Sequence, residues 1–224
     1  MGKLVLVPTP LGNLEDITLR SLNVLKNCAL VLAEDTRTTG KLFHLLGLSA
    51  PLQSYHMHNE HKVLEKTVER IAQAAGTVAL VTDAGIPGIS DPGFLLVRAC
   101  IGAGIEVETL PGPTAFVPAL VSSGLPSDRF VFEGFLPLKK GRQTRLTELA
   151  QEKRTLVLYE SPHKISKTLA ELAVVFGPER SACVAREISK MHETYHRGTL
   201  SELATHFAVQ PAKGELVLVV GGAL

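Results

Sequence analysis

The chain has no tryptophan, three tyrosines and eight phenylalanines among its 224 residues. So few aromatics advertise no base-stacking platform of the kind single-strand-binding proteins use. Its three cysteines, Cys28, Cys100 and Cys183, lie far apart in mostly apolar surroundings. That spacing gives neither a disulfide framework nor a metal set, and fits buried thiols in a reducing compartment. Net charge is only +1, so no global positive field argues for nucleic acid, and none at all for DNA. Any such contact must come from local patches. No apolar run approaches a membrane span, and the N-terminus runs straight into a strand without the basic start and long apolar core of a leader. The chain reads as cytoplasmic, with no membrane partner. GxGxxG and GxxxxGK[ST] are both missing, which removes the dinucleotide fingerprint and the phosphate-wrapping loop.

What is present is the composition of a globular enzyme, 45% apolar and 20% charged, long enough for one large domain or two small ones. The most informative stretch is VALVTDAGIPGISDPG, residues Val78–Gly93. An apolar strand stops at Thr82-Asp83, a loop shaped by glycine and proline follows, and Asp91-Pro92 is expected to cap and open a helix. Such a loop places backbone N–H and C=O groups at the carboxyl edge of a sheet, where open α/β sheets bind ligands. The same local pattern also describes an ordinary tight connection.

Strands and helices alternate along the chain. Strands are expected at Lys3–Val7, Cys28–Ala33, Leu52–Tyr55, Thr77–Thr82 and Glu106–Leu110, with helices between them; Asp16 is the expected cap of the first. An apolar helix from Thr114 to about Ser123 leads to a linker, Ser123–Asp128. The alternation restarts with strands at Phe130–Glu133, Thr155–Tyr159, Ala182–Ala185 and Glu215–Val220. Ser161-Pro162 is a second expected helix start, and Thr199 with Glu202 spells a capping box. These readings predict two α/β domains, residues 1–122 and 128–224, with a parallel sheet from the first run of alternation, no internal repeat, and a ligand cleft between them.

The loops PTPLGN, AEDTR, TDAGIPGISDPG, LPGPTA, GLPSDRF, YESPHK, AREISKMHET and KGELVLVV recur in that order. Together they resemble the tetrapyrrole (corrin/porphyrin) methylase superfamily, and within it the branch that methylates a cytidine ribose 2′-hydroxyl of small-subunit (16S) ribosomal RNA. The resemblance runs from Lys3 to Val220. It implies a tetrapyrrole-methylase-like pair of α/β domains, S-adenosylmethionine as cofactor, small ribosomal subunit RNA as substrate and a homodimer. By position it puts Leu11, Asp83, Ile86, Thr114, Ala115, Glu160 and Ile188 in the cofactor pocket. The branch commonly continues past the final strand into a basic helical extension, whereas this sequence stops at Leu224. A tetrapyrrole or corrinoid C-methyltransferase and a non-catalytic cofactor- or RNA-binding module are the rival readings.

The chemistry assigns further expectations. Backbone of Asp83–Ile86, including Ala84 and Gly85, and of Pro111–Ala115 can serve the amino acid end of the cofactor. Asp83 is the charged side chain there, or else a loop cap. A ribose hydroxyl is a poor nucleophile, so a general base is sought among Asp35, Glu133, Glu160 and Glu187. The choice is Glu187, with Arg186 and Lys190 holding an adjacent phosphate; the alternative is an ion pair at a strand end. His56, His58 and His61 lack a carboxylate or thiol to complete a set, so no metal is expected. His56 and Asn59, with Arg37, are read as a polar lip over substrate, or as a solvated loop. Lys139, Lys140, Arg142 and Arg145 form a basic cluster for RNA phosphates, or a solvated helix start.

Overall fold

Ten strands form two five-stranded sheets in a computed structural model that describes residues 2–223. The chain divides into two compact units, Met1–Thr114 and Ala115–Leu224. The division falls ahead of the apolar helix 116–123, not at the Ser123–Asp128 segment, because that helix packs on strands of the second sheet.

The first unit runs β1 (Lys3–Leu6), α1 (Leu19–Asn27), β2 (Leu30–Ala33), α2 (Thr36–Leu46), β3 (Leu52–Ser54), α3 (Glu60–Gln73), β4 (Thr77–Val81), α4 (Phe94–Gly102) and β5 (Val107–Thr109). The sheet order is β3-β2-β4-β1-β5, every pair parallel. Period-two alternation sorts its side chains. Leu4, Leu6, Leu30, Leu32, Val78 and Leu80 meet Ile71, Leu96 and Cys100 on one face. Val5, Val7, Val31, Ala33, Ala79 and Val81 meet Leu25 and Phe43 on the other. With both faces covered, the central strands read as continuous apolar runs.

The second unit runs α5 (Phe116–Ser123), β6 (Phe130–Phe135), α6 (Arg142–Ala150), β7 (Thr155–Glu160), α7 (Ile165–Phe176), β8 (Ser181–Arg186), β9 (Thr194–Thr199), α8 (Leu200–Val209) and β10 (Leu216–Val220). Its order is β6-β7-β10-β8-β9, and only β6 and β7 pair in parallel. The parallel sheet read from the alternation is that of the first unit only. A short connection makes β8 and β9 a hairpin, and β10 then enters antiparallel to both β7 and β8. β9, TYHRGT, was not expected because no apolar alternation marks it; it is an edge strand whose ladder, not its burial, defines it.

Three helix starts also differ. Thr18 Oγ1, not Asp16, accepts the Ser21 N–H that opens α1, a hydroxyl at the cap being as competent as a carboxylate. Gly93, at φ +143°, stands at the cap of α4, which starts three residues after Asp91. α7 begins at Ile165, so Ser161-Pro162 forms a turn ahead of it rather than its first residues. The Thr199–Glu202 capping box forms as read. All three cysteines are buried and free. Among the described residues no helix is long and apolar enough to cross a membrane.

Candidate functional site

In the first unit, three loops converge beyond the carboxyl ends of β1, β4 and β5. Thr9 and Gly85 exchange both backbone hydrogen bonds, each 3.0 Å, and Thr9 Oγ1 donates to the Thr82 carbonyl at 3.0 Å. Gly85 sits at φ +87°, and a Cβ there would lie 3.3 Å from Leu11 Cδ2 and 3.6 Å from the Pro113 carbonyl oxygen. Leu11, Asp83–Ile86 and the loop ending at Thr114 are thus brought together by backbone that only glycine allows to close. The structure leaves a short, stiff cradle whose polar groups are mostly main chain.

Carboxylates crowd the edge of that cradle. Glu34 Oε2 accepts the Thr82 hydroxyl at 2.5 Å and faces the Asp83 N–H at 3.5 Å. Burial, then the negative charge of Glu34, pushes the Asp83 carboxyl up. Burial, with Glu34 and Asp83 adding to it against the Thr82 hydroxyl, pushes Asp91 up to about 7. Sequence reading passed over Glu34 and took Asp91 for a cap; Glu34's signal was an acid directly after a buried strand, whereas Asp91, in the loop between β4 and α4, left none. Acids so raised favour a cationic partner, which would return them to their charged forms.

The residues expected to form a polar lip are tied down locally. Arg37 makes a bidentate pair with Asp35, at 3.1 and 2.7 Å; hydrogen bonds from Arg37 hold the Asp35 carboxyl well below the usual range. Asn59 Oδ1 accepts the His56 N–H at 2.8 Å. His56 Nδ1 is buried with no partner, and its ring stands 5.9 Å from that of His58. Among the described residues no group of three or more His, Cys, Asp or Glu is placed to hold a metal.

The second unit spends its charges on itself. Glu160 is buried; its two carboxylate oxygens accept the Ser161 N–H at 2.7 Å and the Thr168 hydroxyl at 2.6 Å. Arg142 reaches the same Thr168 oxygen at 2.8 Å, Glu171 at 2.8 Å and the Pro137 carbonyl at 3.1 Å. Its side chain is 14% exposed. Arg145 is held by Glu133 and Glu148. The basic cluster is therefore not one surface: α6 lays two of its cations onto acids distant in sequence, and Lys139 and Lys140 alone of the four stay exposed. Ala115 begins this unit at the start of α5.

The Glu187 assignment meets a similar structure. Its Oε1 accepts the Glu215 N–H at 2.8 Å and Lys190 Nζ at 3.0 Å. The Glu215 N–H, then Lys190, draws its carboxyl down against the opposing effect of burial. Arg186 does not pair with it; the guanidinium donates to the Lys213 and His192 carbonyls at 2.7 and 3.2 Å. Ile188, next in the chain, is buried.

A family profile described as Tetrapyrrole (Corrin/Porphyrin) Methylases matches residues 3–204. The chain belongs to the tetrapyrrole methylase family. A protein of Synechocystis named ribosomal RNA small subunit methyltransferase I is 51% identical over all of this chain and 80% of its own length. One of the same name from Thermotoga maritima is 42% identical over 99% of both chains. Among solved structures, a uroporphyrin-III C-methyltransferase from Thermus thermophilus superposes with TM-score 0.70, at 24% identity over 99% of this chain and 94% of that one. The methyltransferase CobJ superposes at 0.73, with 20% identity over 100% and 95%.

The methylase profile spans both units and takes in every candidate residue from Leu11 to Lys190. Glu215, which bonds Glu187, lies beyond it on the approach to β10. The tetrapyrrole methylases of known structure share this chain's two-sheet α/β fold at an identity too low to carry substrate with it.

Proposed function

We propose that the chain transfers a methyl group from S-adenosylmethionine to a cytidine ribose 2′-hydroxyl in small-subunit (16S) ribosomal RNA. The observation that supports this most is full-length similarity, at 42 and 51% identity, to proteins named ribosomal RNA small subunit methyltransferase I. The cradle of the first unit fits the cofactor's amino acid end: the main-chain N–H groups of Ala84 and Ile86, on either side of the Gly85 N–H that bonds Thr9, suit a carboxylate, and Asp83, crowded by Glu34, suits an ammonium. Leu11, Thr114 and, in the second unit, Ala115, Glu160 and Ile188 are assigned to the same molecule by family position. When bound, the cofactor supplies an electrophilic methyl on a sulfonium sulfur, so the protein's task is chiefly to hold donor and acceptor in line.

Lys139 and Lys140 are proposed to contact RNA phosphate, and Arg37, His56 and Asn59 to border the substrate. With net charge +1, the protein is expected to act on folded subunits rather than free RNA, where shape and phosphate contacts decide recognition. Val117 and Val121, one turn apart and exposed on α5, support a homodimer, and light scattering at micromolar concentration should give twice the 24.0 kDa chain mass. A cytoplasmic location accords with a ribosomal substrate.

Incubation with methyl-labelled cofactor and small subunits from an unmodified strain tests the activity. Label is expected at a ribose of one cytidine. Refusal of subunits together with methylation of a tetrapyrrole would overturn the RNA reading.

A further inference from the structure

The turn after β8 raises a question that backbone accounting answers. Glu187 and Ser189 both sit at positive φ, +53° and +68°, a region that L residues other than Asn and Asp visit rarely. In the β8–β10 ladder Arg186 faces Leu216, so Glu187 faces Glu215 next. A hydrogen-bonded antiparallel pair exchanges two N–H···O=C bonds. One is made, from Glu187 N to Glu215 O at 2.9 Å. For the other, the Glu215 N–H goes at 2.8 Å to Oε1 of the Glu187 side chain. The Glu187 carbonyl has turned away and accepts Lys190 N at 3.0 Å, closing a four-residue turn whose third residue, Ser189, has the positive φ such turns require.

The carboxylate therefore stands in for its own carbonyl. That substitution lets the strand end and the turn begin at one residue with no main-chain group orphaned. Lys190 Nζ contacts the same oxygen at 3.0 Å and also Glu215 Oε2 at 3.1 Å, tying the far end of the turn to both strands. Gly214, at φ +83°, completes the fit, because a Cβ there would overlap the Glu187 carboxylate.

We propose that Glu187 is a positioning residue: its carboxylate braces the Ile188–Lys190 turn against the start of β10, so that the turn is rigid before cofactor and RNA arrive. The inference rests on the methyltransferase reading for what the turn serves, though the brace itself is a feature of this chain. Oε1, already shared by a peptide N–H and an ammonium, has little capacity left to collect a proton from a hydroxyl, and the same two donors draw the whole carboxyl down, which weakens Oε2 as a base too. Methyl transfer in this protein then proceeds by alignment, with Glu187 touching neither reactant.

Three variants of the full chain separate brace from base. Glu187→Gln keeps an acceptor oxygen and abolishes basicity, Glu187→Ala removes both, and Gly214→Ala displaces the carboxylate while leaving it ionisable. Amide exchange at Glu215 and Lys190 reads the brace with no ligand present; subunit methylation, with kcat and cofactor KM separated across pH, reads its consequence. Glu187→Gln is expected to keep the Glu215 amide protected and to methylate within about fivefold of wild type, the range one weakened hydrogen bond allows. Glu187→Ala and Gly214→Ala are expected to speed exchange at both amides by about tenfold or more and to raise cofactor KM more than they lower kcat. A loss of about 100-fold or more in Glu187→Gln with Glu215 still protected would restore the general base and overturn the proposal. So would Glu187→Ala with exchange unchanged. If wild type leaves subunits unmethylated, the functional reading fails by itself, and exchange still decides the brace.

Discussion

The two units carry sheets of equal size, yet they differ in how they answer their acids. Asp35 and Glu108 aside, which Arg37 and Lys3 hold, the first leaves acids crowded and the second pairs them. In the first, Asp83 and Asp91 gather near Glu34 with their carboxyls pushed up, beside a cradle built from main chain and Gly85. In the second, Glu133 is answered by Arg145, Glu160 by Ser161 and Thr168, and Glu187 by Glu215 and Lys190. Parallel strands end together at one edge, so acids there and in the loops that follow crowd where no ladder partner reaches them. In the second unit the donors come from nearby helices and turns: α6 for Glu133, the next N–H and α7 for Glu160, and the turn after β8 with the residue before β10 for Glu187. The crowded acids of the first unit are what the proposed ammonium would answer, while the paired acids of the second tie its own elements together.

The largest effect should come from breaking the closed network. Arg142→Ala strips contacts from Thr168, Glu171 and the Pro137 carbonyl at once. Glu171 keeps Lys167 and the Thr168 hydroxyl keeps Glu160, so losing the part-buried arginine's bonds is expected to cost about 1–2 kcal/mol, measured as a lower urea midpoint. Arg142→Lys should recover only part, since an ammonium cannot serve three acceptors fixed in a plane. The salt dependence of RNA binding should not change in either variant. If it falls while stability holds, Arg142 is a phosphate contact after all.

Breaking the cradle should come next. Gly85→Ala forces an L residue to φ +87° and brings its Cβ to 3.3 Å from Leu11, a strain of about 1–2 kcal/mol. Calorimetry with a chelator present should show weaker cofactor binding than in Gly47→Ala, a control glycine at φ +64° with open space around it. Equal binding in the two variants would remove the cradle from the cofactor site.

Much of this was legible in the residues and some was not. β1, β4 and β10 announced themselves as apolar runs, and the Thr199–Glu202 box as a spacing, because local pattern alone determines them. The cradle was legible because glycine and proline record backbone shape directly. β9 and the fate of Arg142 were not, since each depends on partners distant in sequence: Cys183 and its neighbours for the strand, Thr168 and Glu171 for the arginine. Glu187 was singled out for the right reason, a charged residue at a strand end. That its Oε1 is taken up by the Glu215 N–H and Lys190 was not legible, because a left-handed φ leaves no mark in the sequence of a glutamate.

A third test sets the units against each other by pH. Asp91 is raised to about 7 by burial and by Glu34, above the unfolded value of about 3.9. Its protonated form stabilises the fold fully below that unfolded value, and the contribution is lost as pH rises through 7. Asp91→Asn should therefore narrow the stability gap to wild type at pH 4 and widen it in the variant's favour towards pH 7. Glu187 runs the other way: its lowered carboxyl stabilises above the usual glutamate range, and that contribution is lost as pH falls. Parallel pH trends in Asp91→Asn and Glu187→Gln would contradict the contrast between the units.

The smallest effect belongs to Lys139 and Lys140. Both are exposed, at the turn leading into α6, whereas Arg142 and Arg145 of the same cluster are bound to acids. Replacing both lysines by Ala removes no folded contact of consequence, so stability should move by no more than about 0.5 kcal/mol. What changes is the count of phosphates neutralised. Each lysine that meets a phosphate contributes nearly one unit to the slope of log affinity against log salt, so the double variant should lower that slope by up to about two. The weakening should grow at low salt and fade at high salt, a signature that a disturbed fold does not share. A salt-independent drop in subunit binding would mean that the lysines act through structure, and an unchanged slope that RNA passes elsewhere over the second unit.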